Sequence, residues 1–294
     1  MSLTESFSPP SKLASPSIRR RWWKGAVTLA PALALIIWMA SFRVDCGPES
    51  GRAFSGTAGD GVNGRRTLRI ATFNIHGGEG RDGGFDLDRT ADTLRGCDLV
   101  GLNEVHGRYA WETVDQAEWL GRTLGTSWLF APTEERWWHY QFGNGVLSKI
   151  PVAFWRRLPL PRRHGRSFRN AVLVNVDLQG RALHVVVTHL DRSEPRDRQE
   201  QWQAVARLFL SLAEPAVLMG DMNTEELETP LAELLASPGV HDPLREVLGD
   251  GAPRRIDWIL TRGLLTVDAG LRDNGASDHP CVWAEVALDA DHNR

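Results

Sequence analysis

The stretch "VLMGDMNTE", residues 217–225, ends a hydrophobic run with a carboxylate and an amide. Val217, Leu218 and Met219 read as a short buried strand, Gly220 breaks it, and Asp221 and Asn223 follow one residue apart. Side chains alternate along an extended segment, so Asp221 and Asn223 project to the same side. The pattern recurs: "RIATF" runs into Asn74, "LVGLN" into Glu104 and "VVVT" into His189. In open α/β sheets, sites form where strands finish and their loops diverge. Carboxylates and amides gathered there offer hard oxygen ligands, which suit Mg²⁺ or Mn²⁺ rather than zinc.

Working outward, runs of strand length rich in Val, Ile and Leu occur at 67–73, 98–104, 144–152, 171–178, 183–189, 216–221, 256–261 and 281–288. Helical patterns fit 86–95, begun by Asp86, and 111–124. A longer helix follows Ser193 as N-cap, with Trp202, Val205, Leu208, Phe209 and Leu212 at helical spacing; Thr229-Pro230 opens a short fourth. Many strands with fewer helices predict a layered α/β or α+β domain.

Charge divides the chain. Residues 1–66 sum to +5 and residues 67–294 to −8. An acidic body argues against holding nucleic acid by charge alone, because phosphate neutralisation by Lys and Arg dominates that affinity. The three cysteines, Cys46, Cys97 and Cys281, form neither a disulfide framework nor a zinc motif, and a Cys97–Cys281 bridge cannot be deduced from spacing.

The amino terminus stands apart. Residues 1–24 predict a basic, disordered cytoplasmic segment, and 25–42 are an uncharged stretch that reads as a transmembrane anchor or an export signal helix. Arg19, Arg20, Arg21 and Lys24 precede it and would hold that end in the cytoplasm; "RRRWWK" also resembles a twin-arginine signal. Either reading puts the body outside the cytoplasm, membrane-anchored or exported. Residues 43–66 are Gly-rich without apolar periodicity and predict a flexible linker. One catalytic domain, a monomer, is expected over 67–290.

The carboxyl end adds "RRIDWIL", with Asp257 inside a hydrophobic strand where an ionised carboxylate needs a partner, and "SDHP", with Asp278 and His279. Asp257 beside His279 would fix the imidazole tautomer and favour its charged form.

With these pieces assembled, the chain resembles the endonuclease/exonuclease/phosphatase superfamily, the fold of pancreatic deoxyribonuclease. The resemblance is carried by "TFNIHGG", "DLVGLNEV", "GNGVLS", "VVVTHLD", "GDMNTE", "RRIDWIL" and "SDHPCVWAEV". It implies a four-layer α/β sandwich, two mixed β-sheets packed face to face with flanking helices, and cleavage of phosphoesters with a divalent cation, Mg²⁺ or Mn²⁺. It implies Asn74, Glu104 and Asp278 at the metal, with Asp221 and Asn223 completing the metal and nucleophile side. His189 would bond a phosphate oxygen, and His279, oriented by Asp257, would activate water. Met222 and Asn103 depart from the family's usual Phe and Gln. The acidic partner that some members give their first histidine is not identifiable; Glu134, Glu135 and His139 are candidates.

The chemistry explains the residue types. A metal at Glu104 stabilises charge building on phosphoryl oxygens, and His279 can take a proton from water near neutral pH. His76, two residues past Asn74, is placed to line the pocket and bind substrate. The segment "RRLPLPRRHGRSFR" (156–169) holds six arginines and no acid. It could steer an anionic substrate or protect a hairpin edge. Tryptophans, Trp137-Trp138 among them, could stack bases or meet a membrane interface. The expected substrate is a phosphodiester: nucleic acid, or a phospholipid or phosphoinositide. The rival readings are a monoesterase of the inositol-phosphatase type and a membrane-anchored, non-catalytic binding module.

Overall fold

The computed structural model describes residues 31–38, 43–56, 67–108, 114–136, 141–178 and 180–288. It divides into two units, residues 1–42 and 43–294. In the first, residues 31–38 form helix α1, exposed throughout. Among the described residues no helix is long and apolar enough to cross a membrane. Residues 1–30 and 39–42, which hold the rest of the expected span and its basic flank, lie outside the described residues.

In the second unit the strands are β1 (Arg43–Asp45), β2 (Glu49–Gly51), β3 (Thr67–Asn74), β4 (Leu99–His106), β5 (Ser127–Arg136), β6 (Phe142–Ser148) and β7 (Val152–Pro159). They continue with β8 (Asn170–Leu178), β9 (Arg181–His189), β10 (Ala216–Asp221), β11 (Asp257–Arg262), β12 (Leu264–Arg272) and β13 (Cys281–Leu288). The helices are α2 (Leu87–Leu94), α3 (Gln116–Leu124), α4 (Pro195–Ser211), α5 (Thr229–Leu235) and α6 (Pro243–Leu248).

Two mixed sheets form, one ordered β1-β5-β6-β4-β3-β13-β12 and the other β11-β10-β9-β8-β7-β2. The pairs β3–β4 and β9–β10 are parallel; the other pairings are antiparallel. Period-two alternation assigns the layers. Leu68, Ile70, Val185, Val187, Val217 and Met219 share the core between the sheets. Ala71 and Phe73 turn outward to meet Ala91 and Leu94 of α2. Val186 and Leu218 turn outward to meet Trp202, Val205 and Phe209 of α4. With both faces of each sheet covered, the central strands read as continuous apolar runs. This is the four-layer sandwich expected.

Local signals set the helix starts. Asp86 and Asp115 accept hydrogen bonds from the backbone amides of Arg89 and Glu118 at α2 and α3. At α4 the cap is Glu194, not Ser193, because Pro195 occupies the first helical position.

Several expectations need correction. Residues 43–66 are not a tether throughout: β1 pairs with β5, β2 pairs with β7, and Cys46 and Phe54 are buried. Residues 57–66 lie outside the described residues. The run 144–152 is not one strand; β6 ends at Ser148 and β7 starts at Val152. Gly220 does not break β10. It pairs with Thr188 and Trp258 at φ 144°, and a Cβ there would overlap the Thr188 carbonyl oxygen. The glycine allows β10 to approach β9 closely. Cys97 and Cys281 are buried and not bridged to each other, and Cys46 is buried too.

Candidate active site

Three adjacent strand ends bring three site residues abreast. Asp221 of β10 is paired in register with His189 of β9 on one side and Asp257 of β11 on the other. In the facing sheet, Asn74 of β3 is paired with Asn103 of β4, and β10 packs against both of these strands.

Glu104 reaches this place through an irregularity. The β4–β6 register shifts between Leu102 and Val105, and Glu104 takes φ 55°. A bulge of this kind re-aims a side chain that plain alternation would send elsewhere. Among the described residues, the non-glycine residues with positive φ are His76, Glu104 and Asn223. All three had been singled out for the site. Such conformations cost of order 1–3 kcal/mol each and persist where the surroundings impose them.

The polar groups converge on Asp221. Asn74 Nδ2 donates to Glu104 Oε1 at 3.1 Å and to Asp221 Oδ2 at 2.9 Å. His189 Nε2 lies 3.5 Å from Asp221 Oδ2, and His279 Nε2 lies 3.9 Å from the same oxygen. Asp257 Oδ2 holds His279 Nδ1 at 2.7 Å. Asp221 Oδ1 accepts the Asn223 backbone amide at 2.9 Å, so Asp221-Met222-Asn223 forms an Asx turn, and Asn223 Nδ2 donates to the Leu190 carbonyl.

Burial sets the electrostatics. Asp221 is raised to about 6 by desolvation and by the charge of Asp257, against the pull of His279 and the Asn74 hydrogen bond. Asp257 is likewise raised by burial, with His279 opposing. Burial alone would lower His279, but the Asp257 hydrogen bond and the charges of Asp257, Asp221 and Asp278 raise it to about 9. His189 is pushed well down by complete burial and by the Arg169 charge beside it.

Two groups of side chains present ligand atoms within 4.8 Å of one another: Glu104, His189 and Asp221, and Asp221, Asp257 and His279. The donor set fits a hard divalent cation, since three of its five side chains are the carboxylates Glu104, Asp221 and Asp257. Glu104 and Asp221 are the carboxylates placed to hold one. Asn74 Oδ1 already accepts the His76 amide at 3.1 Å. Asp278, expected at the metal, belongs to neither group; it is half exposed, and its Oδ1 lies 3.8 Å from His76 Nδ1. His76 thus lines the mouth. It also borders a cleft of about 810 Å³ whose walls include Glu79, Phe85, Asp86, Asp88 and Trp119.

Among the described residues, the side chain that meets His189 Nδ1 is Arg169, whose Nη1 lies 3.1 Å away. Glu134 is buried on β5; the Glu135 side chain and His139 lie outside the described residues. Arg169 sat unrecognised at the end of the arginine-rich segment, where an arginine next to a strand start gives no sign of pointing inward. A chain of buried amides also escaped the sequence reading. Asn103 Oδ1 accepts the Asp221 amide at 2.8 Å, and Asn103 Nδ2 donates to the Thr188 carbonyl at 3.0 Å and to Asn144 Oδ1 at 2.7 Å. Asn144 Nδ2 donates to Asn170 Oδ1 at 2.9 Å.

Carboxylates, amides and a carboxylate-held imidazole thus gather at one end of two packed sheets. A family model described as Endonuclease/Exonuclease/phosphatase family matches residues 71–279, and the chain belongs to that family. Its members are phosphoester hydrolases. Among solved structures, an endonuclease/exonuclease/phosphatase from Beutenbergia cavernae is 26% identical with a TM-score of 0.63, covering 76% of this chain and 72% of that one. TDP2 from D. rerio, solved in complex with single strand DNA product, is 16% identical with a TM-score of 0.57 over 76% of this chain and all of that one. A mannosyl-6-phosphatase from Bacteroides thetaiotaomicron is 13% identical with a TM-score of 0.58 over 75% and 100%. No curated protein sequence matches the chain.

Proposed function

We propose that the protein is a phosphodiesterase that depends on a divalent cation, Mg²⁺ or Mn²⁺, and attacks with water activated at His279. The observation that carries this reading is the Asp257–His279 pair set against Asp221, with Glu104 in contact range of the same carboxylate. A divalent cation held by Glu104 and Asp221 would stabilise charge on the phosphoryl oxygens, an effect worth several kcal/mol.

The chain's own residues do the rest. Asp257 accepts the proton on His279 Nδ1, which leaves Nε2 as the atom that takes a proton from water. Because the surrounding carboxylates raise His279 to about 9, offsetting the charge of Asp221 brings it toward the neutral form that a base requires. Asn74 spans the half-buried Glu104 and the buried Asp221 and keeps the two carboxylates in a fixed relation. No covalent intermediate is needed.

A diester is favoured over a monoester. The residues that line the cleft beside His76 include Glu79, Asp86, Asp88 and Asp115 and, among the described residues, no Lys or Arg. Such walls suit a phosphate with one negative charge better than a dianion. TDP2, whose structure holds a single strand DNA product, keeps nucleic acid in the panel, alongside a phospholipid or phosphoinositide. On the reading of residues 25–42 as an anchor or export signal, the substrate is met outside the cytoplasm.

The test is hydrolysis by the full chain of plasmid DNA, single-stranded DNA, RNA, sphingomyelin and inositol phosphates, with Mg²⁺, with Mn²⁺ and with EDTA. Glu104→Ala and His279→Asn are run beside it. Metal-dependent cleavage of a diester that both variants lose is expected. Activity indifferent to EDTA and to Glu104 would remove the mechanism, and binding without turnover in every arm would indicate a non-catalytic module.

A further inference from the structure

We infer that Arg169 is a positioning residue that fixes the tautomer of His189, so that this histidine faces the site as an N–H donor and not as a metal ligand or a base. Its catalytic consequence rests on the phosphodiesterase reading; the tautomer itself does not.

The chemistry of the contact decides the direction. A guanidinium carries only donors, so the 3.1 Å contact between Arg169 Nη1 and His189 Nδ1 requires a lone pair on Nδ1. The single ring proton of the neutral imidazole therefore sits on Nε2. That is the nitrogen turned to Asp221 Oδ2 at 3.5 Å. A protonated Nε2 has no lone pair to give a cation, which withdraws His189 from the group it forms with Glu104 and Asp221.

The arrangement is built. Arg169 and His189 are both buried, and Phe142 packs against each: its ring centroid lies 6.4 Å from that of His189, and the Arg169 guanidinium lies 5.9 Å from it. The charge of Asp191, fully buried, acts on Arg169 together with those of Glu104 and Asp221. Asp191 is itself immobilised, since its Oδ1 accepts the Ser193 and Glu194 amides at 2.7 and 2.9 Å where α4 begins. A fixed carboxylate charge and the Phe142 ring thus surround the arginine that meets His189.

The site then holds two imidazoles of opposite sense on one carboxylate. His279 in its neutral form, with an acid on Nδ1, presents a lone pair at Nε2; His189, with a cation on Nδ1, presents a proton there. The first suits taking a proton from water, and the second suits donating to a phosphoryl oxygen.

The experiment is long-range ¹H–¹⁵N correlation of the histidine rings in the ¹⁵N-labelled full chain at pH 7, with EDTA and again with Mg²⁺. His189→Gln assigns the His189 signals. The expected result is an unprotonated Nδ1 and a protonated Nε2 in both conditions. Arg169→Lys should retain the pattern, while Arg169→Met should scramble it and lower kcat about 10–100-fold, the range for removing a group that orients a site histidine. A protonated Nδ1 in the wild type, or an Nε2 that loses its proton to Mg²⁺, overturns the inference. So does an Arg169→Met spectrum identical to wild type. Should Arg169→Met not fold, the wild-type and Arg169→Lys spectra decide alone. A wild type inactive on every substrate removes the phosphodiesterase reading and leaves the ring spectra to judge the tautomer.

Discussion

Replacing Asp257 with Asn should change how stability depends on pH, and the size of the change follows from the site. In the metal-free protein His279 is raised from an ordinary value of 6.5 to about 9, although burial alone would lower it. The folded state therefore binds this proton more tightly than the unfolded chain does. The resulting stabilisation is complete below pH 6.5 and is lost as pH rises through about 9. At 1.36 kcal/mol per pKa unit, that loss amounts to about 3 kcal/mol. Asp257→Asn keeps the shape but removes the charge 2.7 Å from Nδ1, the leading contribution in favour of the charged ring. Urea denaturation of EDTA-treated protein at pH 6 and at pH 9.5 reads the effect as a double difference. Wild type should lose about 3 kcal/mol more than the variant does across that interval, and the variant's kcat should fall about 10²–10⁴-fold with loss of the oriented base. Equal losses in the two proteins would refute the claim that Asp257 holds His279 charged.

Saturating Mg²⁺ should raise unfolding free energy by about 2.7 kcal/mol at one hundred times Kd, and Glu104→Ala should abolish most of that gain in the same urea titration. Mg²⁺ should also lower the His279 pKa, followed by ring NMR, because a cation offsets the Asp221 charge that helps to raise it. Gly220→Ala should cost about 3 kcal/mol or more, seen as a drop in Tm or loss of soluble protein, since β9 leaves no room for a Cβ. Asn103→Ala should cost about 1–3 kcal/mol in urea denaturation, because it strands the buried Asn144 oxygen and the Asp221 amide.

The eight strands read from sequence are those whose residues face a covered layer on both sides, or nearly so. Their apolar runs are long because most of their positions are buried. β5, β7 and β12 were missed for the opposite reason. Pro132 and acids interrupt β5, Arg156 and Arg157 interrupt β7, and β12 sits at a sheet edge with Leu265 and Val267 exposed. β1 and β2 are only three residues each, too short for periodicity to show. The site was legible where a polar residue ends an apolar strand, as at Asn74, His189 and Asp221. Order along the chain cannot show that Asp278 stands outside the carboxylate group while Asp257 stands inside it. Arg169 was invisible because its inward direction shows only in its contacts with Phe142 and His189, both distant from it in sequence.

The amide chain from Asn103 through Asn144 to Asn170 gives the molecule a clasp. Asn103 lies in one leaf of the sandwich and grips the main chain of the other at Asp221 and Thr188. The leaves cannot part like the covers of a book without first undoing the grip on Asp221. A molecule lodged at Asp221 should therefore register beyond the strand tips, as slower hydrogen exchange at Val186 and Leu218, whose side chains face α4.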